Sequence, residues 1–106
     1  MPRVLFISHD GHTQEAQAQP GASVMQAALD HGVAGILADC GGSCACATCH
    51  CYVGQAWLDS FAPAATIEVE LVSFAFDPQP NSRLACQLVL GEQHEGLVVG
   101  LPRRQI

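Results

Sequence analysis

The 106 residues are 49% apolar and only 13% charged, a composition that excludes disorder and suits a single domain spanning residues 1–106. Ten Asp and Glu face four Arg with no Lys, a formal charge of −6 that argues against nucleic acid and anionic membrane surfaces and for proteins with basic faces as partners. The apolar run at the start, Val4 to Ile7, is too short for a secretory core or a membrane span, so a cytoplasmic protein, or one already processed, is expected.

Taken in chain order, Arg3 to Ser8 alternates like a strand. His9-Asp10-Gly11-His12 supplies turn chemistry, and Thr13 to Ala18 returns as the second strand of a hairpin. Ser23-Val24-Met25-Gln26 has the pattern of a capping box, and an apolar stripe from Val24 to Leu29 predicts a short helix that stops at Gly32. Beyond a cysteine-rich loop, His50 to Val53 alternates as a strand, and Thr66 to Phe76 reads as a second helix with Glu68 and Glu70 near its start. The turn-rich stretch Asp77 to Ser82 then leads to strand candidates at Arg83 to Leu90 and Gly96 to Val99. No repeat or linker divides these elements, so they are expected to share one α+β core.

Five of the six cysteines crowd into Cys40 to Cys51, too close together to be useful cross-links, and without an export signal a metal or redox site is the better reading. A closed zinc site lacks a second ligand pair. The four-iron spacing C-x2-C-x2-C is broken by Ser43, and the plant-type spacing C-x4-C-x2-C fails at Ala45 and Tyr52. A Rieske centre would need a second histidine to accompany His50. The remaining frame joins Cys40, Cys46 and Cys49 to the distant Cys86, four thiolates of the kind a [2Fe-2S] cluster requires. Gly41 and Gly42 would let the backbone curl closely around such a core. CATCH, Cys46 to His50, also matches the attachment signature of a c-type haem, which would need an exported chain and a distal ligand, and would leave Cys40, Cys44 and Cys86 unused.

Several stretches together, Ser8-His9-Asp10-Gly11, Asp39-Cys40-Gly41-Gly42-Ser43, Ala47-Thr48-Cys49-His50, and Asn81-Ser82-Arg83-Leu84 with Cys86-Gln87, resemble the adrenodoxin-type [2Fe-2S] ferredoxins. The Pro102 to Gln105 tail extends the resemblance to nearly the whole chain. It implies a β-grasp, ubiquitin-like fold and a one-electron shuttle, not an enzyme, working between a flavin-containing ferredoxin reductase and a cytochrome P-450 monooxygenase. It assigns the ligand role to Cys40, Cys46, Cys49 and Cys86, and implies acidic docking positions at Asp39, Glu68 and Glu70. Some relatives place a partner-contacting aromatic at the C-terminus, where this chain has Ile106. A monomer is expected.

Other residues carry plainer readings. Cys51 is expected to be a small buried hydrophobe, Cys44 a non-ligating loop residue or an oxidation-prone thiol, and His50 a group that orders its loop by hydrogen bonding. Trp57 reads as packing, and Glu68 and Glu70 have the alternative of being merely solvated charges. Two other functions compete with the shuttle to an oxygenase: electron donation to iron–sulfur cluster assembly, whose ferredoxins also resemble this loop, and a non-redox cluster or zinc module. The purified protein is expected to show broad visible absorption bands that bleach on reduction, whereas a sharp Soret band would establish haem.

Overall fold

The computed structural model describes residues 2–33, 50–75 and 77–103. The chain opens with a hairpin of β1 (Arg3–Ile7) and β2 (Thr13–Gln17), paired in antiparallel register from Arg3 opposite Gln17 to Ile7 opposite Thr13. Alternation in β1 turns Val4 and Phe6 into the core, and Ala16 of β2 meets them opposite Val4. The turn closes with the Ser8 and His12 backbones hydrogen-bonded at 2.8 Å and with Gly11 at φ 92°, a conformation other residues rarely adopt.

Helix α1 (Val24–Asp30) begins where the sequence predicts it. The Ser23 hydroxyl accepts the Gln26 amide proton at 3.0 Å, while the Gln26 side chain donates to Asp30 at 2.8 Å. Its end is a Schellman motif: Val33 N–H donates to Ala28 O at 2.9 Å and Gly32 N–H to Leu29 O at 3.2 Å, with Gly32 at φ 65°. Ala28 and Val33 are both buried, the apolar contact that usually accompanies this stop.

Strand β3 (His50–Val53) is followed by a short 3-10 helix, Gln55–Ser60, and by α2 (Thr66–Ser73). Strand β4 (Ser82–Leu84) pairs with β3, and β5 (Leu97–Gly100) closes the sheet in the order β2-β1-β5-β3-β4. The last strand therefore lies in the middle, parallel to β1 and antiparallel to β3. Buried Leu97 and Val99 join Val4, Phe6, Val53 and the inner face of α1 in one core. This is the β-grasp arrangement that the sequence resemblance implies.

Two element boundaries differ from expectation. The second helix stops at Ser73, with the Phe74 amide capping back onto Leu71 and Val72, instead of running on to residue 76. The strand expected over 83–90 ends at Leu84, and the chain turns into a 3-10 helix at Ala85–Gln87. The reason is competition for backbone partners. Leu88 O accepts the Val24 amide proton at 2.9 Å and Leu90 N–H donates to Ala22 O at 2.8 Å, so residues 88–90 pair with the entrance to α1 and not with β3. Among the described residues no helix is long and apolar enough to cross a membrane.

Ser23→Ala is expected to cost about 1 kcal/mol, read as a fall of roughly 5 °C in the thermal unfolding midpoint, with Ser23→Asp retaining most of the cap.

Candidate metal centre

Of the four proposed ligands, Cys86 lies within the described residues, while Cys40, Cys46 and Cys49 fall outside them, as do Asp39, Cys44 and Ile106. Cys86 sits in the 3-10 helix directly after β4, half-buried, and the Gln87 side-chain amide donates to its sulfur at 3.4 Å. The register of the sheet gives this position its meaning. His50, the first residue after Cys49, pairs with Leu84, two residues before Cys86. The ladder thus joins the exit of the cysteine loop to the segment bearing the remote cysteine. A half-buried sulfur with an amide donor beside it suits a cluster thiolate, whose charge such donors stabilise.

Around this junction the described side chains form a bracing network. His50 is fully buried, its Nε2 lies 2.7 Å from Ser82 Oγ, and its ring meets Tyr52 edge-on at 4.9 Å. Ser82 Oγ accepts the Gln79 amide proton at 2.8 Å, which leaves the hydroxyl proton for His50 Nε2. Burial holds the His50 imidazole below its ordinary pKa against an opposing pull from Asp77, which suits a neutral acceptor ring. Tyr52 Oη donates to Asp77 O at 2.6 Å, and Asn81 Nδ2 to Val53 O at 2.8 Å, so the connector before β4 is strapped to β3. His50 thus braces the start of β4, while the cysteine loop that it is expected to order lies outside the described residues.

Cys51 is fully buried in the core, and burial, with Glu68 adding to it, pushes its thiol up to about 12; Arg83 opposes and Cys86 adds slightly. A neutral packed thiol is the outcome, as expected, and not a spare ligand. Trp57 packs half-buried against the same core.

Glu68 corrects the sequence reading. Expected as a docking or solvated charge, it is 2% exposed and locked to Arg83, with Arg83 Nε donating to Oε2 at 2.7 Å and Nη2 to Oε1 at 3.1 Å. A carboxylate held inside by a guanidinium cannot face a partner. Sequence reasoning missed Arg83, although one signal was available: it is the sole Lys or Arg between residues 4 and 102. His94 was also passed over; it is buried, stacks on Phe61 at 4.3 Å and 4°, and accepts the Gly91 amide proton at 2.9 Å. Glu70, by contrast, is exposed on α2 as expected.

A family model described as the 2Fe-2S iron-sulfur cluster binding domain matches residues 7–91, and the chain belongs to this family of [2Fe-2S] ferredoxins. It is an electron-transfer protein whose cofactor is a [2Fe-2S] cluster. Within the family it is similar to putidaredoxin from Pseudomonas putida, 42% identical over 106 residues that cover 99% of both chains. Its fold superposes on the crystal structure of a ferredoxin from Rhodopseudomonas palustris HaA2 with a TM-score of 0.96, 42% identity and coverage of 99% of this chain and 100% of that one. Similarity extends to the putidaredoxin of a covalent putidaredoxin reductase–putidaredoxin complex, with a TM-score of 0.90, 41% identity and coverage of 96% and 99%.

Cys51→Ala is expected to leave the visible spectrum unchanged and to cost about 1 kcal/mol of stability through lost packing. Because its raised pKa keeps the thiol protonated and its burial excludes reagents, iodoacetamide near pH 9 should modify Cys51 only after unfolding, as mass spectrometry would report.

Proposed function

We propose that this ferredoxin takes single electrons from a flavin-dependent ferredoxin reductase and delivers them to a cytochrome P-450 monooxygenase in the cytoplasm, as a monomer of one domain. The observation that carries the reading is the near-full-length likeness to putidaredoxin, supported by the neighbour joined to its own reductase. Cys40, Cys46, Cys49 and Cys86 hold the cluster, which supplies the one-electron redox step when bound. The protein's own contribution is to position the thiolates, restrict water and present a docking face.

Four thiolates on the two-iron core take the formal charge from −6 to about −8 when oxidised and about −9 when reduced. No Lys or Arg lies between residues 4 and 82, so Asp39, Asp59, Glu70 and Asp77 have no basic neighbour along that stretch. Glu70 on α2 shares a helical face with Ile67, 57% exposed and three residues before it, and with the cap residue Phe74, 83% exposed and four residues after it. An acidic group between two apolar ones suits a partner with an apolar centre and a basic rim. Asp39 and Ile106 complete the docking set; Glu68 is withdrawn from it.

Stopped-flow reduction by a flavoprotein ferredoxin reductase should slow roughly tenfold between about 0.05 and 0.5 M salt, and Glu70→Gln should flatten that dependence. Rates indifferent to salt would overturn the docking model. In reconstituted turnover, support of iron–sulfur cluster assembly without support of any monooxygenase would replace the proposed acceptor by the assembly machinery.

A further inference from the structure

Helix α2 packs Leu71 and Val72 against the core but buries a charge beside them. Its outward side chains include Ile67 and Val69, each 57% exposed, whereas its one buried residue is the carboxylate of Glu68. Both Glu68 oxygens engage the Arg83 guanidinium, and Oε2 also accepts the Leu84 amide proton at 2.9 Å. Arg83 Nη1 donates to Ala62 O at 3.0 Å. One fork therefore ties α2, the loop before it and β4 together, with the Arg83 side chain 12% exposed.

Burying an ion pair costs desolvation that its mutual attraction only partly offsets, and apolar residues of similar size often serve stability better. Stability alone is a weak reason for a fully buried Glu on a helix that leaves Ile67 and Val69 in water. The placement supplies a better one. Strand β4 is a three-residue edge strand whose sheet neighbour is β3, and its last amide, that of Leu84, is bound by Glu68 immediately before the chain turns to Cys86. The carboxylate thus holds the backbone two residues from the remote cysteine. The guanidinium is three residues from it in the chain, and Arg83 pairs with Cys51 across the ladder.

We propose that the Glu68–Arg83 fork positions Cys86 as the fourth cluster ligand and that its balanced charges help set the cluster's reduction potential, an inference that rests on Cys86 being a ligand. Glu68 and Arg83 are positioning residues: they act through the β4 backbone and through their field. Each has a separable part. The bidentate geometry holds the strand end still, and the neutral sum of the two charges keeps an unbalanced field away from the electron added on reduction.

Three variants separate these parts. Glu68→Gln keeps an oxygen for the Leu84 amide but leaves the Arg83 cation uncompensated, so the midpoint potential should rise. Glu68→Gln combined with Arg83→Gln also lacks the ion pair but is neutral, and its potential should return toward that of the parent. Arg83→Lys keeps the charge and loses the fork, so its potential should stay near the parent's while the cluster is lost roughly tenfold faster, followed by the decay of visible absorbance. A role in folding alone would shift the first two variants alike. Equal potentials in Glu68→Gln and the double variant, or unchanged cluster retention in Arg83→Lys, would overturn the proposal. An unaltered visible spectrum in Cys86→Ser would remove the ligand reading beneath it, a failure distinct from that of the fork.

Discussion

The antiparallel pairing of β3 with β4 is the contact on which the site depends. Thirty-six residues separate Cys49 from Cys86 in the chain, yet the register of His50 against Leu84 closes that distance with three residue pairs. So short a ladder on a sheet edge is weak by itself. It is reinforced on both sides: by the His50–Ser82 contact and the Tyr52 and Asn81 side chains that strap the connector to β3, and by Glu68 binding the Leu84 amide. The hydrogen bonds that end the strand at Leu84 matter equally, because pairing of residues 88–90 with the entrance to α1 obliges the chain to turn at Cys86.

Cysteine chemistry is partitioned by burial. Cys51 lies on β3 in the core, where its thiol stays neutral, while Cys86 lies in the 3-10 helix just after β4, half-buried, with an amide donor at its sulfur. Two cysteines associated with adjacent strands of one ladder thus meet opposite electrostatic conditions. The same separation divides the acidic residues: Glu68 is neutralised inside by the one cation of the central chain, whereas Glu70, two residues on, points to solvent beside Ile67 and Phe74. Helical geometry, turning about 100° per residue, accounts for that difference.

What the sequence could determine by itself was local. The Ser23 cap, the Gly32 stop, the β1–β2 hairpin and the strand at His50 to Val53 each follow from hydrogen bonds or sterics within a few residues, and each appears where predicted. Cysteine spacing and the resemblance around it pointed to the [2Fe-2S] ferredoxin family, to which the chain belongs. Three features were decided only by the tertiary structure. The last strand enters the middle of the sheet because Leu97 and Val99 complete a core whose other walls come from residues far earlier. The strand after Arg83 breaks because distant backbone groups at residues 21–24 compete for its hydrogen bonds. Glu68 turns inward because a guanidinium fifteen residues away offers a bidentate partner, and the local pattern of α2 contains no trace of that partner. Local rules describe what a residue prefers beside its neighbours; where its charge ends up depends on what the fold brings across to meet it.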